Sequence, residues 1–475
     1  MTTDTSSLIS ALSGIVGGEW VKTDHANLQT YGTDWTKQFP AAPSVIVMPK
    51  TVAEVQAVVK LANEAPFKLV PSGGRTGLSG GAVATDGEVV LVLDRMNQIL
   101  DFNSVDRQVT CEAGVVTAQL QQFAQSHGLF YPVDFASSGS SQLGGNVATN
   151  AGGIKVIRYG MTRSWVTGIK VVTGRGDLLD LNRGLTKNAT GYDFRHLFIG
   201  SEGTLGIVVE LTMALSVPPQ DPAVLILGVK DIAQTMQVLE AFQNKLSLTA
   251  FEFFSESALR HVIAEKNLAR PFDTVSSFYT LIEFEQLGDE DLESAMELFQ
   301  YCLEQGWIVD GTISQSLTQA ESLWRLREDI SETIARFTPY KNDIAVRVSA
   351  VPQFLKAVDS LVREQYPEFE IIWFGHIGDG NVHLNILKPK FLDEQAFFEK
   401  CGSVSNQVFS LVQQYGGSIS AEHGVGLLKK PYLNYTRDPE EIEYMRLIKK
   451  AFDPNGVLNP GKVFDLEVTT HVETA

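Results

Sequence analysis

At 475 residues with 44% hydrophobic side chains, the chain exceeds one ordinary domain and has the material for two sizeable cores. A formal net charge of −18 argues against a polyanionic partner such as nucleic acid, and an anionic small substrate would need locally placed Arg or Lys. No apolar run reaches the roughly 18 residues of a membrane span, the N-terminus lacks the basic flank of a secretory signal, and Cys111, Cys302 and Cys401 show no metal or disulfide spacing, so a reducing cytoplasm is the expected compartment.

Residues 1–39 read as an N-terminal helical segment. From Ser44 the pattern changes in kind along the chain: the apolar run SVIVMP, then TVAEVQAVVKLANEA with apolar residues at helical spacing, then KLVPSGG. That predicts strand, helix, strand, and the Thr51 to Glu54 spacing of a capping box starts the helix. Strands are expected at Glu88–Leu93 and Gln108–Ala113, and a helix near Thr117–His127. The prolines of Pro218–Pro222 mark a domain boundary. Beyond it AVLILGV, FEFF, SFYTLIEFE and GWIVDG are strand-like and alternate with amphipathic helices at Asp291–Glu304 and Leu317–Phe337, an α+β pattern. Phe452–Lys462 is a turn-rich closing segment, and the last dozen residues read as a frayed tail.

More than half of the chain's 40 glycines lie between Pro71 and Gly206. They concentrate in PSGGRTGLSGGAV, SSGSSQLGGNVATNAGGIKVIRYG and KNATGYDFRHLFIGSEGTLGI, each mixed with Ser, Thr or Asn. Such loops present backbone N–H groups and short polar side chains, which suit a pyrophosphate where cations are few. The first loop is neither a GxGxxG fingerprint nor a P-loop, because its glycines are mis-spaced and no GK[ST] closes it. A single loop of this kind is as well explained by tight turns; three together point to a dinucleotide.

Three of the chain's eight histidines fall in IIWFGHIGDGNVHLNIL and SAEHGVG. The first reads as a hairpin with Asp379-Gly380 as its two-residue turn, which would pair His376 with His383 and set Phe374 opposite Asn385. Two imidazoles on one face, with Glu422 as a third ligand, suit Zn or Mn. The alternative is a packed cross-strand histidine pair. His423, beside Glu422, offers a fourth ligand. On the helix LWRLREDISETIARF, Arg327 and Ser331 are four apart; Arg325, Arg327 and Glu328 would also make an ordinary solvated face.

These motifs, GGRTGLSGG, GGNVATNAGG with RYG, TGYD, LFIGSEGTLGI, HxGDGNxH and SAEHGVG, closely resemble the D-2-hydroxyglutarate and D-lactate dehydrogenase branch of the vanillyl-alcohol oxidase and p-cresol methylhydroxylase superfamily. The resemblance runs from about Pro40 to Val463, and the chain departs from it at Asp134-Phe135-Ala136, where many relatives have Asp-Pro. It implies an α+β fold with a two-subdomain FAD-binding domain of the p-cresol methylhydroxylase type at 40–217. A C-terminal α+β substrate (cap) domain with an antiparallel sheet would follow at 218–451, then a segment at 452–464 returning to the FAD domain and a tail at 465–475. FAD would be held without a covalent bond by Ser72, Gly73, Gly74, Arg75, Thr76, Gly77, Ser79, Ser138, Gly144, Asn146, Thr149, Asn150, Gly152, Gly153, Glu202, Gly203 and Ile207. His376, His383 and Glu422 would bind the divalent metal, and His423 would be the base. Arg327, Ser331, Lys341, Asn385 and His423 would contact a small anionic 2-hydroxy acid. Arg347, in the strand DIAVRVS, adds a cation; with Lys341 it would favour a second carboxylate, hence D-2-hydroxyglutarate ahead of D-lactate or glycolate. The resemblance further implies an electron acceptor such as electron-transfer flavoprotein or a quinone, and a homodimer. Two other classes compete: a metal-dependent hydrolase built on the same His and Glu set, and a non-catalytic flavin-binding module.

Overall fold

The alternation of apolar run, amphipathic helix and apolar run after Ser44 folds as a parallel β-α-β unit. In the computed structural model, which describes residues 5–65 and 67–466, Thr51 caps the helix Val52–Glu64 by accepting from Glu54 N at 3.2 Å, while Glu54 reaches back to Lys50 N at 2.6 Å. Val55, Val58, Val59 and Ala62 form its buried stripe.

This segment belongs to the first of two units, made of the chain up to Ala151, Met161–Val217 and the stretch from Glu422 onward. One of its sheets contains β1 (Val21–Lys22), β2 (Val45–Val47), β3 (Leu69–Ser72) and β4 (Val89–Val92) in the order β1-β2-β4-β3. Strands β2 and β3 both run parallel to β4, whose VVLV is buried at every position, as a parallel strand covered on both faces should be. The other sheet contains β5 (Ile99–Asn103), β6 (Gln108–Glu112), β7 (Val166–Thr173), β8 (Leu178–Leu181) and β9 (Gly206–Ala214), antiparallel in the order β5-β6-β9-β7-β8. These are the two subdomains expected of a flavin-binding domain.

The second unit comprises Gly152–Gly160 and Pro218–Ala421. Its strands are β10 (Ala223–Val229), β11 (Leu248–Ser255), β12 (Phe278–Phe284), β13 (Asp310–Ile313), β14 (Tyr340–Ala345), β15 (Ile371–Gly375) and β16 (Asn381–Ile386). They form one antiparallel sheet in the order β13-β10-β12-β11-β15-β16-β14. Val224, Ile226, Phe254, Tyr279 and Leu281 pack on one face against Leu259, Trp324, Ile330 and Ile334 from the covering helices. The Gly152–Gly160 segment is fastened to this sheet through its own side chains: Lys155 bonds Glu283, Arg158 lies 3.1 Å from Glu285, and Ile154 packs against the core.

Several expectations are corrected. The helix expected at Leu317–Phe337 is two helices, Leu317–Glu328 and Ile330–Ala335. They break at Asp329, a weak helix former whose backbone opens to ψ −4 and whose carboxylate is engaged by Arg325 at 3.2 Å. The strand expected in GWIVDG begins only at Asp310. The stretch from Glu422 onward packs with the first unit, and Gly152–Gly160 packs with the second. Most of the tail from 465 lies outside the described residues. Among the described residues no helix is long and apolar enough to cross a membrane.

Candidate functional site

In the first unit β3 ends at Ser72, and the loop that follows is pressed against the 137–144 loop. A Cβ on Gly74 would lie 2.2 Å from Ser140 O, and one on Gly144 would lie 2.7 Å from Ala113 Cβ, so side chains are excluded at both positions. Ser72 Oγ and Gln142 Oε1 are buried with no hydrogen-bond partner among the described residues, although Gln142 donates to Asp94 at 2.8 Å. Buried polar groups are rarely left so, and a ligand rich in both donors and acceptors fits this place.

Many of the side chains expected around the cofactor hold these loops in shape. Arg75, at φ 59, donates to Gly73 O at 2.7 Å and lies over the Tyr31 ring. Asn146 donates to Thr117 Oγ1 at 2.7 Å, Thr149 to Gly145 O at 3.2 Å, and Asn150, in the left-handed region, accepts from Arg163 N at 2.9 Å. Ser138 is half-buried and Ile207 buried.

Ser79 and Glu202 have a more specific task. Ser79 Oγ donates to His423 O at 2.9 Å, and Ser79 O accepts from Leu427 N and Leu428 N. The Glu202 carboxylate accepts from Val425 N at 2.6 Å and Gly426 N at 2.8 Å. Burial pushes the Glu202 carboxyl above the usual carboxylate range, and these two N–H groups and Lys429 oppose the shift. The path of the segment bearing Glu422 and His423 is therefore set by two residues of the glycine-rich loops, backed by Gly203 in its positive-φ turn.

In the second unit the histidine hairpin differs from its expected form. Strand β15 ends at Gly375 and β16 starts at Asn381, with Phe374 opposite His383 and Ile372 opposite Asn385. His376 is thus in the connecting loop, where its carbonyl accepts from Asp379 N and Asn381 N. The cause is tertiary: Gly378 N donates to Phe251 O at 2.9 Å, drawing the loop onto β11, and Gly380 takes φ 90 where a Cβ would meet Val346 O at 2.1 Å. Because the register moves by two residues, faces are kept, and the His376 and His383 rings still meet with centroids 5.4 Å apart.

Around this pair the polar groups are dense. Glu252, 1% exposed, has its carboxylate oxygens 2.8 and 2.9 Å from His376 Nδ1 and lies 2.7 Å from Arg327. Asp343 lies 3.6 Å from His383 Nδ1. Burial pushes the Asp379 carboxyl up to about 6, with His376 opposing. Two imidazoles, one with its Nδ1 engaged by a carboxylate, form a donor set that suits a borderline divalent cation.

Arg327 also lies over the Phe374 ring at 4.8 Å, and Phe374 in turn packs on His383 at 5.0 Å. Arg327 Nε and Asn385 Nδ2 are buried donors with no hydrogen-bond partner among the described residues. Lys341, cross-strand from Asn385, lies 3.5 Å from Ser331 Oγ, and burial pulls its ammonium below the usual lysine range. It sits inside β14. Arg347 lies beyond the end of β14 at Ala345 and is exposed, whereas Lys341 is half-buried within the strand.

Comparison with known proteins agrees with both halves of this picture. Residues 43–182 match an FAD binding domain, and residues 218–463 match the C-terminal domain of the FAD linked oxidases. The chain is 60% identical over 457 residues to a D-2-hydroxyglutarate dehydrogenase of Stutzerimonas stutzeri, covering 96% of this chain and 98% of the relative. It is 54% identical to a protein of the same name from Xanthomonas citri pv. viticola, covering 94% of each. The chain belongs to the FAD-dependent D-2-hydroxyacid dehydrogenases. Its fold is that of p-cresol methylhydroxylase, with a TM-score of 0.74 at 15% identity over 97% of both chains. That membership sets aside both the hydrolase and the non-catalytic module.

Three residues of this dehydrogenase's polar network escaped the sequence reading: Glu252, Asp343 and Gln142. Glu252 carried a usable signal, since a carboxylate inside the apolar strand AFEFF must find partners when buried. Asp343 and Gln142 carried none, because their neighbours are distant in sequence.

Proposed function

We propose that this dehydrogenase oxidises D-2-hydroxyglutarate to 2-oxoglutarate, with non-covalently held FAD and a divalent cation, Zn or Mn. The observation that carries the substrate class is the pair of buried, unpartnered donors, Arg327 Nε and Asn385 Nδ2, set around the His376–His383 pair. Leaving such donors unmade costs about 1–3 kcal/mol each, and an anionic carboxylate supplies the acceptors. The choice of D-2-hydroxyglutarate over D-lactate rests on the names of the two bacterial relatives, since Arg347 no longer supports it.

When bound, FAD would supply the two-electron acceptor for the Cα hydride, and the cation would lower the pKa of the substrate hydroxyl. Arg327, Ser331, Lys341 and Asn385 bind and orient the carboxylate. His376 and His383 hold the cation with Glu422, which follows Ala421, the last residue of the second unit, by a single peptide bond. The His423 imidazole takes the hydroxyl proton, a role suited to a base near neutral pKa. Electrons then leave to an electron-transfer flavoprotein or a quinone. The same reading has the enzyme working in the cytoplasm as a homodimer.

The test is the flavin absorption spectrum of the purified protein, recorded anaerobically before and after D-2-hydroxyglutarate. Bleaching that chelator treatment abolishes and added Zn or Mn restores is the expected result. Bleaching by D-lactate with an equal or better kcat/KM overturns the substrate assignment, and bleaching indifferent to chelation overturns the metal.

A further inference from the structure

We infer that Glu252 is a positioning residue that couples the cation-binding His376 to the substrate-binding Arg327; this deepens the function proposed above and rests on it. One carboxylate, at 1% exposure, meets both: His376 Nδ1 at 2.8 and 2.9 Å, and an Arg327 terminal nitrogen at 2.7 Å.

Glu252 is itself held rigidly. Its neighbour Phe253 pairs with Gly375, and its other neighbour Phe251 accepts from Gly378 N at 2.9 Å, so β11 grips the His376 loop on both sides of the carboxylate. An acidic side chain buried in this apolar strand is costly unless paired and hydrogen-bonded. Arg327 pairs with the carboxylate, and His376 can donate its Nδ1 proton to it. That tautomer leaves the Nε2 lone pair for a cation. The same contact turns the guanidinium so that its Nε, without a partner, is left for a ligand. Ligand histidine and substrate arginine are thereby aimed by one group.

Glu252→Gln separates these roles from simple packing. The amide keeps one acceptor oxygen where the carboxylate has two, and it carries no charge to pair with Arg327. If the amide nitrogen faces His376 instead, it forces Nδ1 to accept and puts the proton on Nε2, where it blocks ligation.

The experiment strips the metal from the FAD-bound enzyme with a chelator, then titrates Zn2+ against a chromophoric competitor for wild type, Glu252→Gln and Glu252→Asp, counting bound FAD by its absorbance. Expected is a loss of about 10- to 100-fold in Zn2+ affinity for Glu252→Gln, a smaller loss for Glu252→Asp and unchanged FAD occupancy. The KM for D-2-hydroxyglutarate rises in parallel in the reconstituted Glu252→Gln enzyme. Zn2+ affinity of folded Glu252→Gln within about twofold of wild type overturns the inference alone. Should that variant not fold, Glu252→Asp decides, and wild-type affinity there overturns it. A wild-type protein that takes up no Zn2+ overturns the metal assignment, and the inference with it.

Discussion

Glu202 in the first unit and Glu252 in the second are both buried carboxylates that steady a histidine-bearing segment, yet they grip different things. Glu202 accepts from two backbone N–H groups, Val425 and Gly426, which neither titrate nor change tautomer. It therefore controls where the chain of Glu422–Leu428 runs. This path demands glycine: Gly424 has φ 76 and Gly426 φ 52, and a Cβ on Gly426 would come 2.2 Å from Ser79 O. Glu252 accepts from side chains and controls how they are oriented and which nitrogen keeps its proton. One clamp sets a main-chain route; the other sets side-chain chemistry, so the two should fail differently.

The largest effect is expected at the residue the first clamp carries. His423→Asn should slow flavin reduction by about 10²- to 10⁴-fold while FAD and Zn2+ binding persist. Stopped-flow reduction within tenfold of wild type, about 1.4 kcal/mol in barrier, would remove His423 as the base.

Gly426→Ala attacks the route and not the chemistry. Displacing His423 by about 1 Å should cost on the order of 10² in kcat, with a smaller loss of Zn2+ affinity because Glu422 rides on the same stretch. If Zn2+ affinity fell and kcat held, the contrast between the clamps would be wrong.

In the second unit Arg327→Met removes a charge-assisted contact worth about 1.5–3 kcal/mol, or roughly 10- to 150-fold in kcat/KM. The loss should sit mainly in KM. A loss confined to kcat would instead make Arg327 a group that acts only in the transition state.

Ser79→Ala deletes a single hydrogen bond to His423 O and should lower kcat by no more than about tenfold, given about 0.5–1.5 kcal/mol for such a bond. No change at all would leave Glu202 as the working clamp.

The smallest prediction concerns stability. Lys462 Nζ is buried without a hydrogen-bond partner among the described residues, 3.9 Å from Glu88, and burial pulls its ammonium down to about 8 against the opposing pull of Glu88 and Asp34. Its folded pKa lies below its unfolded one, so between those values the unfolded chain binds more protons and stability rises with pH. Lys462→Met removes that slope. Its melting temperature relative to wild type should fall steadily from about pH 7 to about pH 10, and a pH-independent difference would sink the argument.

Much of this was legible in the residues because it is local. The capped helix after Thr51, the parallel strands flanking it and the break at Pro218 follow from side-chain period, capping chemistry and proline geometry, each acting over a few residues. The three glycine-rich loops declared a ligand because turn residues were present in excess of what turns require. The hairpin register was not legible: Asp379-Gly380 has the signature of a two-residue turn, but Phe251, from a distant part of the chain, captures Gly378 and widens the loop.

By itself, then, the sequence determined most of the strand and helix segments and the family, and it nominated the loops, histidines, arginine and lysine of the candidate chemistry. Only the tertiary structure decided how those groups are held. It gave Glu202 and Ser79 to the His423 segment, joined Glu252 to both His376 and Arg327, and set Arg347 apart from Lys341. The reason is physical. Periodicity and turn preference are written in neighbours along the chain, whereas the partner of a buried charge is chosen by whichever strand folding brings beside it.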